Sequence, residues 1–278
     1  MSDAAPAPVA AEVSFPGSDR AGWQRLALSG LDGDLRFAPN LGCFLLRHRG
    51  RTVLCDAGIG PGPNAWLGGL RGALPDRLDR LGVRPEEVDL VIFTHLHMDH
   101  IGWATRPAPD GARRPMFANA DHVVGSTELD FWASDPAEAH PHHREAFDTA
   151  FRPLIAAGRV RGVVAEEEFA PGIRLMAMPG HTPGHAAIRF DDDRALVIAG
   201  DVFHCPGQVE RPDWGHRADM NPERARRTRQ DFIARAAAER WRVAAGHFRD
   251  GFGLGEIVAE GAGHRFLPEQ GGPAGAAR

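Results

Sequence analysis

The sequence predicts an α/β protein. Two kinds of signal recur along its 278 residues. Short apolar, β-branched runs such as Val88–Thr94 and Ala195–Ile198 read as buried strands. Leu70, Leu74, Leu78 and Leu81 recur at helical spacing, and Asn221-Pro222 opens a longer helix with asparagine as cap and proline at its first position. The length suits one large domain or two small ones.

In chain order, residues 1–20 are rich in Ala and Pro and are expected to form a flexible arm, because they offer little to bury. Gly42–Arg47 and Thr52–Asp56 are short strands joined at His48–Arg51, a hairpin signal. Asp56 then turns the chain out of the sheet. The leucine-patterned helix closes at Gly82, and Pro85 begins the approach to the Val88–Thr94 strand. Asp121–Val124 reads as a strand, and Ser126–Ala133 as a helix capped by Ser126. His140, His142 and His143 flank Pro141, which argues against a regular helix there and for a solvated loop. Val160–Val164, Ile173–Met178, Ala186–Phe190 and Ala195–Ala199 follow as strands, with Asp191–Asp193 as a hairpin tip. The helix from Asn221 runs to about Arg240 and carries Arg224, Arg226, Arg227 and Arg229, expected on its solvated face. From Pro268 onward Gly, Pro and Ala dominate, and residues 268–278 are expected to fray, leaving a domain over 21–267.

Composition narrows the class. Hydrophobic residues make up 43% and charged residues 25%, ordinary for a soluble protein. A formal net charge of -5 argues against a general nucleic-acid binder. No run approaches the roughly eighteen apolar residues of a membrane span. The first residues lack a secretory pattern, and the odd number of cysteines (Cys43, Cys55, Cys205) has no metal spacing, so free thiols and a cytoplasmic location are expected.

The chemistry concentrates in His95-Leu96-His97-Met98-Asp99-His100, at the end of the Val88–Thr94 strand. In an extended segment alternate side chains share a face, so His95 and His97 can converge on one cation. Asp99 and His100 lie about a turn further on and can point at a second. Imidazole nitrogen with a minority of carboxylate oxygen suits zinc or another late first-row dication.

This His-x-His-x-Asp-His pattern after an apolar strand resembles the metallo-β-lactamase superfamily. The other motifs of that family occur in its order: His181 in Gly180–His185, Asp201 after Ala195–Gly200, and His247 after Trp241–Gly246. The resemblance covers roughly residues 20–265 and implies a four-layer αββα sandwich. It implies that His95, His97 and His181 hold one metal, that Asp99, His100 and His247 hold a second, and that Asp201 bridges them. Asp56 matches the family's aspartate that supports the metal loop. Two divalent ions, zinc first and Mn, Fe or Co as alternatives, would share a hydroxide that acts as nucleophile. Asp99 would orient it and pass a proton to the leaving group.

The segment from Gly200 to Arg226 is similar to the branch holding quorum-quenching acyl-homoserine-lactone lactonases and methyl-parathion-hydrolase-like enzymes. The chain contains no tyrosine, whereas lactonases of that branch use one near the bridging aspartate. His204 occupies the matching offset and is expected to contact substrate. Met98, Trp103, Phe203 and Trp66 are candidates for apolar pocket walls. The resemblance thus implies a metal-dependent hydrolase that opens a lactone or cleaves a related small ester. The competing activities are a thioesterase of the glyoxalase II type, a phosphotriesterase, and an iron-dependent persulfide dioxygenase. The expected partner is a small-molecule substrate, with no nucleic acid and no membrane; a homodimer stays open.

Overall fold

The computed structural model describes residues 1–26, 28–249 and 253–269. They fall into two units, one built from residues 1–4 and 41–171, the other from 5–40 and the chain from 172 onward.

In the first unit the expected hairpin forms as β1 (Phe44–His48) and β2 (Arg51–Cys55), paired antiparallel. β3 (Leu90–Phe93) then adds parallel to β2, β4 (Asp121–Gly125) to β3, and β5 (Val160–Val163) to β4. All four residues of β3 are buried, as a continuous apolar run in a parallel sheet requires. The core joins Val91 and Phe93 of β3 to Leu74, Leu78, Phe117, Trp132, Phe147 and Phe151. Leu74 and Leu78 come from α1 (Leu74–Arg80), a shorter helix than the leucine spacing suggests. Leu81 lies past its end and is exposed, because the chain turns at Gly82 with φ +67°.

The second unit is built on an ordered run of strands, β6 (Ile173–Ala177), β7 (Ala186–Phe190), β8 (Leu196–Ile198), β9 (Arg242–Ala244), β10 (Leu254–Glu260) and β11 (Gly263–Pro268). Neighbours are antiparallel except β8 and β9, which run parallel. A parallel pair needs a crossover, and α2 (Pro222–Glu239) supplies it. Asn221 caps this helix by accepting the Arg224 N–H at 3.0 Å. Its buried positions, 225, 229, 232, 233 and 236, recur at helical spacing and pack Phe232 and Ile233 against Val197, Val243 and Trp241.

Four expectations are corrected. Residues 1–20 are built into the fold: Ser2–Ala4 pairs with Leu41–Gly42, and Ala11 and Phe15 are buried with Trp23, Phe37 and Trp214. Asp3 is itself buried and accepts the Ile59 and Leu74 amides at 2.7 and 2.6 Å and Trp103 Nε1 at 3.2 Å. The Ser126–Ala133 helix is capped by Gly125 rather than by the Ser126 side chain. Residues Pro141–Ala146 form a helix with proline at its first turn, where no amide is needed, so Pro141 starts a helix instead of preventing one. At the C-terminus Pro268 ends β11 and the Glu269 amide donates to Leu254 O at 2.9 Å; residues 270–278 lie outside the described residues. Among the described residues no helix is long and apolar enough to cross a membrane.

Candidate metal centre

The donors of the first unit are placed by one short piece of chain. β3 ends at Phe93, His95 and His97 follow in the extended stretch, and a one-turn helix over Met98–Ile101 begins directly after His97. His95, His97 and His100 are all buried. The His95 ring lies 4.6 Å from that of His97 and 4.0 Å from that of His100, centroid to centroid. Asp99 Oδ2 is 3.6 Å from His100 Nε2.

Buried side chains fix which ring nitrogens face outward. Asp56, at φ +59°, accepts the Thr94 amide at 2.8 Å and the Thr94 hydroxyl at 2.9 Å. It also faces His100 Nδ1 at 2.9 Å. Because the Thr94 proton goes to Asp56, the Thr94 oxygen accepts from His95 Nδ1 at 3.0 Å. Both His95 and His100 therefore carry their proton on Nδ1 and present Nε2 as a ligand. Glu128 is buried and accepts the Leu96 amide and Trp132 Nε1, which ties the metal loop to the neighbouring helix. His143 accepts the Met98 amide at 3.1 Å and stacks on His97 with rings 3.7 Å apart and 11° from parallel. Gly102, just beyond, lies so close to the Ile59–Gly60 backbone that any Cβ there would overlap it.

The donors of the second unit come from three loops. His181 follows β6, Asp201 follows β8, and His247 follows β9. His181 Nδ1 donates to Asp219 Oδ1 at 3.0 Å and His247 Nδ1 to Asn40 O at 2.9 Å, so these rings too present Nε2. His185 donates from Nδ1 to Met178 O and accepts the Asp201 amide on Nε2, which orients the aspartate. Three imidazole nitrogens then surround one carboxylate oxygen, Asp201 Oδ2: His247 Nε2 at 3.0 Å, His181 Nε2 at 3.1 Å and His204 Nε2 at 3.3 Å.

Lone pairs of His181 and His247 aimed at a carboxylate oxygen repel it unless a cation, either proton or metal ion, lies among them. Burial opposes a charge on His181, yet Asp201 and Asp219 raise its pKa to about 9. Burial would also lift the Asp219 carboxyl, but His181 and Arg229 hold it at about 2. His204 is pushed down to about 4 by burial, and its ring stacks on His216 at 3.6 Å. Three imidazole Nε2 atoms within 3.0–3.3 Å of one buried carboxylate oxygen fit a late divalent cation. The set His181, Asp201 and His204 offers three such donors within this unit alone.

The model of the metallo-beta-lactamase superfamily matches residues 43–106, the stretch from β1 through the His95–His100 motif. A solved hydrolase of the beta-lactamase superfamily, AbOPH, superimposes over 97% of this chain and 92% of its own, with a TM-score of 0.79 and 24% identity. The chain thus shares the fold of that hydrolase, and its residues 43–106 resemble the metallo-beta-lactamase superfamily. AidC, a dizinc quorum-quenching lactonase solved with a product, shares the fold with a TM-score of 0.77 at 21% identity, over 96% of this chain and 92% of its own. An N-acyl homoserine lactonase from Bacillus sp is 30% identical over 118 residues, which are 42% of this chain and 39% of that relative. The chain thus matches only about two-fifths of that curated relative's length.

Within this fold the expected pocket walls sort differently from the sequence reading. Phe203 packs on Phe232 in the core of the second unit, and Trp103 is buried against Asp3. Met98 is also buried, whereas Trp66 is 55% exposed beside His142 and donates to Glu145. Arg229, expected on the solvated face of α2, is fully buried. Sequence reasoning placed His143 in a solvated loop and gave Glu128 and Asp219 no role at the site. Arg229 had a usable signal, since it falls on the apolar stripe of α2; Asp219 had none.

Proposed function

We propose that this protein is a dinuclear metal hydrolase that opens lactones or cleaves related small neutral esters. The observation that carries this reading is the locked orientation of four histidines. His95, His100, His181 and His247 each spend Nδ1 on a buried acceptor and keep Nε2 for a ligand bond. Which residues share an ion follows the family pattern: His95, His97 and His181 for one, Asp99, His100 and His247 for the other, and Asp201 for both. Zinc is the metal that this donor set favours. When bound, such a pair supplies a hydroxide nucleophile and polarises the ester carbonyl.

The chain's own residues do the rest. Asp99, the least buried of the acidic donors, accepts a proton from the attacking water and returns it to the leaving alkoxide. His204, held neutral with Nε2 3.3 Å from Asp201 Oδ2, is assigned to contact with the substrate rather than to a metal ion. Its backbone is fixed by Gln208, whose Oε1 accepts the His204 amide at 2.7 Å. Relatives that are N-acyl homoserine lactonases, and a lactonase with the same fold, support a lactone as substrate class.

Elemental analysis of protein purified without chelator should approach two metal ions per chain. A stable value of one in fully active protein overturns the dinuclear reading. In a panel of lactones, thioesters, phosphotriesters and a penicillin under one metal condition, kcat/KM should be highest for a lactone. Faster penicillin or thioester turnover would overturn the substrate class. His204→Phe should keep metal content and Tm and lower kcat by about 100-fold, the usual effect of losing one preorganised donor.

A further inference from the structure

Arg229 is a guanidinium with no exposed surface, on a helix whose neighbouring arginines reach solvent. Burying such a charge costs several kcal/mol unless it is paired and fully hydrogen-bonded. Its partners are unusually concentrated. Nε donates to Val202 O at 2.8 Å, and Nη1 to Pro212 O at 3.1 Å and Trp214 O at 3.2 Å. Nη2 reaches Asp219 Oδ2 at 3.4 Å. All four acceptors lie between residues 202 and 219, the segment that begins directly after Asp201.

That segment is otherwise held by local turns and by Trp214 packing on Trp23. It contains one turn of helix, at Gly207–Glu210. Gln208 adds a second brace, accepting the His204 amide and donating to Trp214 O at 2.9 Å. Asp219, clamped by Arg229 and by the His216 amide at 3.0 Å, turns its other oxygen to His181 Nδ1. One buried cation therefore touches the residue after Asp201 and, through Asp219, the ring of His181.

We propose that Arg229 is a positioning residue for the metal centre, acting through Asp219 on His181 and through the Val202 carbonyl on Asp201. The proposal rests on the reading of His181 and Asp201 as metal ligands. Partners one step removed from a ligand commonly govern affinity by about 10–100-fold. The helix α2 thus fixes the second unit's donors from behind, and an apparently basic helix face contains one arginine committed to the site.

The test measures zinc affinity by competition with a chromophoric chelator, the visible spectrum of the cobalt(II) form, and melting of the metal-free chain. Five variants are compared: Arg229→Met, Asp219→Asn, the double Arg229→Met/Asp219→Asn, His181→Ala and the exposed control Arg227→Met. Arg229→Met leaves Asp219 buried without its cation and can fail to fold; the double variant removes both charges and keeps the test in force. Asp219→Asn and the double variant should weaken zinc binding by about tenfold or more and shift the cobalt bands. Arg227→Met should match wild type. Wild-type affinity and an unchanged cobalt spectrum in the folded double variant, even with a lowered Tm, would overturn the positioning role. An unchanged affinity in His181→Ala would instead overturn the ligand assignment itself, so the two failures are told apart.

Discussion

In the first unit, four candidate donors occupy six consecutive residues on one strand end and one turn of helix. In the second, His181, Asp201 and His247 sit on three loops separated by twenty and forty-six residues. The supports differ accordingly. A single carboxylate, Asp56, orients His100 directly and His95 through Thr94, while Glu128 and His143 hold the intervening backbone. In the second unit each donor has its own support: Asp219 for His181, His185 for Asp201, and the Asn40 carbonyl for His247. A contiguous motif inherits its spacing from the chain and needs only its rings aimed. A dispersed set must have each loop placed separately, so each donor carries a support of its own.

The sharpest way to break that contrast is Asp56→Ala. It leaves the Thr94 amide, the Thr94 hydroxyl and His100 Nδ1 without their acceptor in a buried site. At about 1–3 kcal/mol per unsatisfied buried group, the metal-free protein should lose about 3 kcal/mol or more in urea unfolding. A loss below about 1 kcal/mol would show that the first unit does not depend on one hub.

Acid probes the same unit away from its donors. Burial, with the Arg159 charge nearby, lowers His122 from its ordinary value of 6.5 to about 4. The unfolded chain then takes up the proton first, so stability is full above pH 6.5 and falls as the pH drops toward 4. At about 1.4 kcal/mol per pH unit the loss approaches roughly 3 kcal/mol. His122→Leu should flatten the fall between those pH values; an unchanged slope of stability against pH would show that His122 is not its source.

Asn40→Ala tests the dispersed side. His247 keeps its backbone acceptor, and only the Asn40 Nδ2 bond to Gly246 O is lost. The expected cost is about 1 kcal/mol in chemical denaturation, well below that of Asp56→Ala. Equal costs would erase the distinction between a side-chain hub and a backbone support. The smallest effect belongs to Arg227→Ala, which removes an exposed pair with Glu223 and should change stability by less than about 0.5 kcal/mol.

The same contrast explains what could be read from the sequence. His95–His100 was legible because its spacing is local and its chemistry dense. The strands were legible because burial on both faces leaves continuous apolar runs, as in Leu90–Phe93. Polar residues whose burial is decided by distant partners were not. Glu128 looked like an ordinary helix glutamate, yet it turns inward to the Leu96 amide, 32 residues away. Asp3 and Phe15 lie in an Ala/Pro-rich stretch whose composition hides the few residues that anchor it. Pro141 was taken for a helix breaker because its position relative to the helix start, not its identity, decides its effect.

Gly102 sets a limit on how this protein can be varied. Saturating the positions around the His95–His100 motif is an obvious route to new substrate preference, and the side chain of Trp66 reaches solvent and can change. Position 102 has no such latitude, because the Ile59–Gly60 backbone fills the space where a side chain would stand. In a library randomised across residues 98–103 and sorted only for soluble expression, codon 102 should return as glycine in nearly every survivor, before any selection for activity is applied.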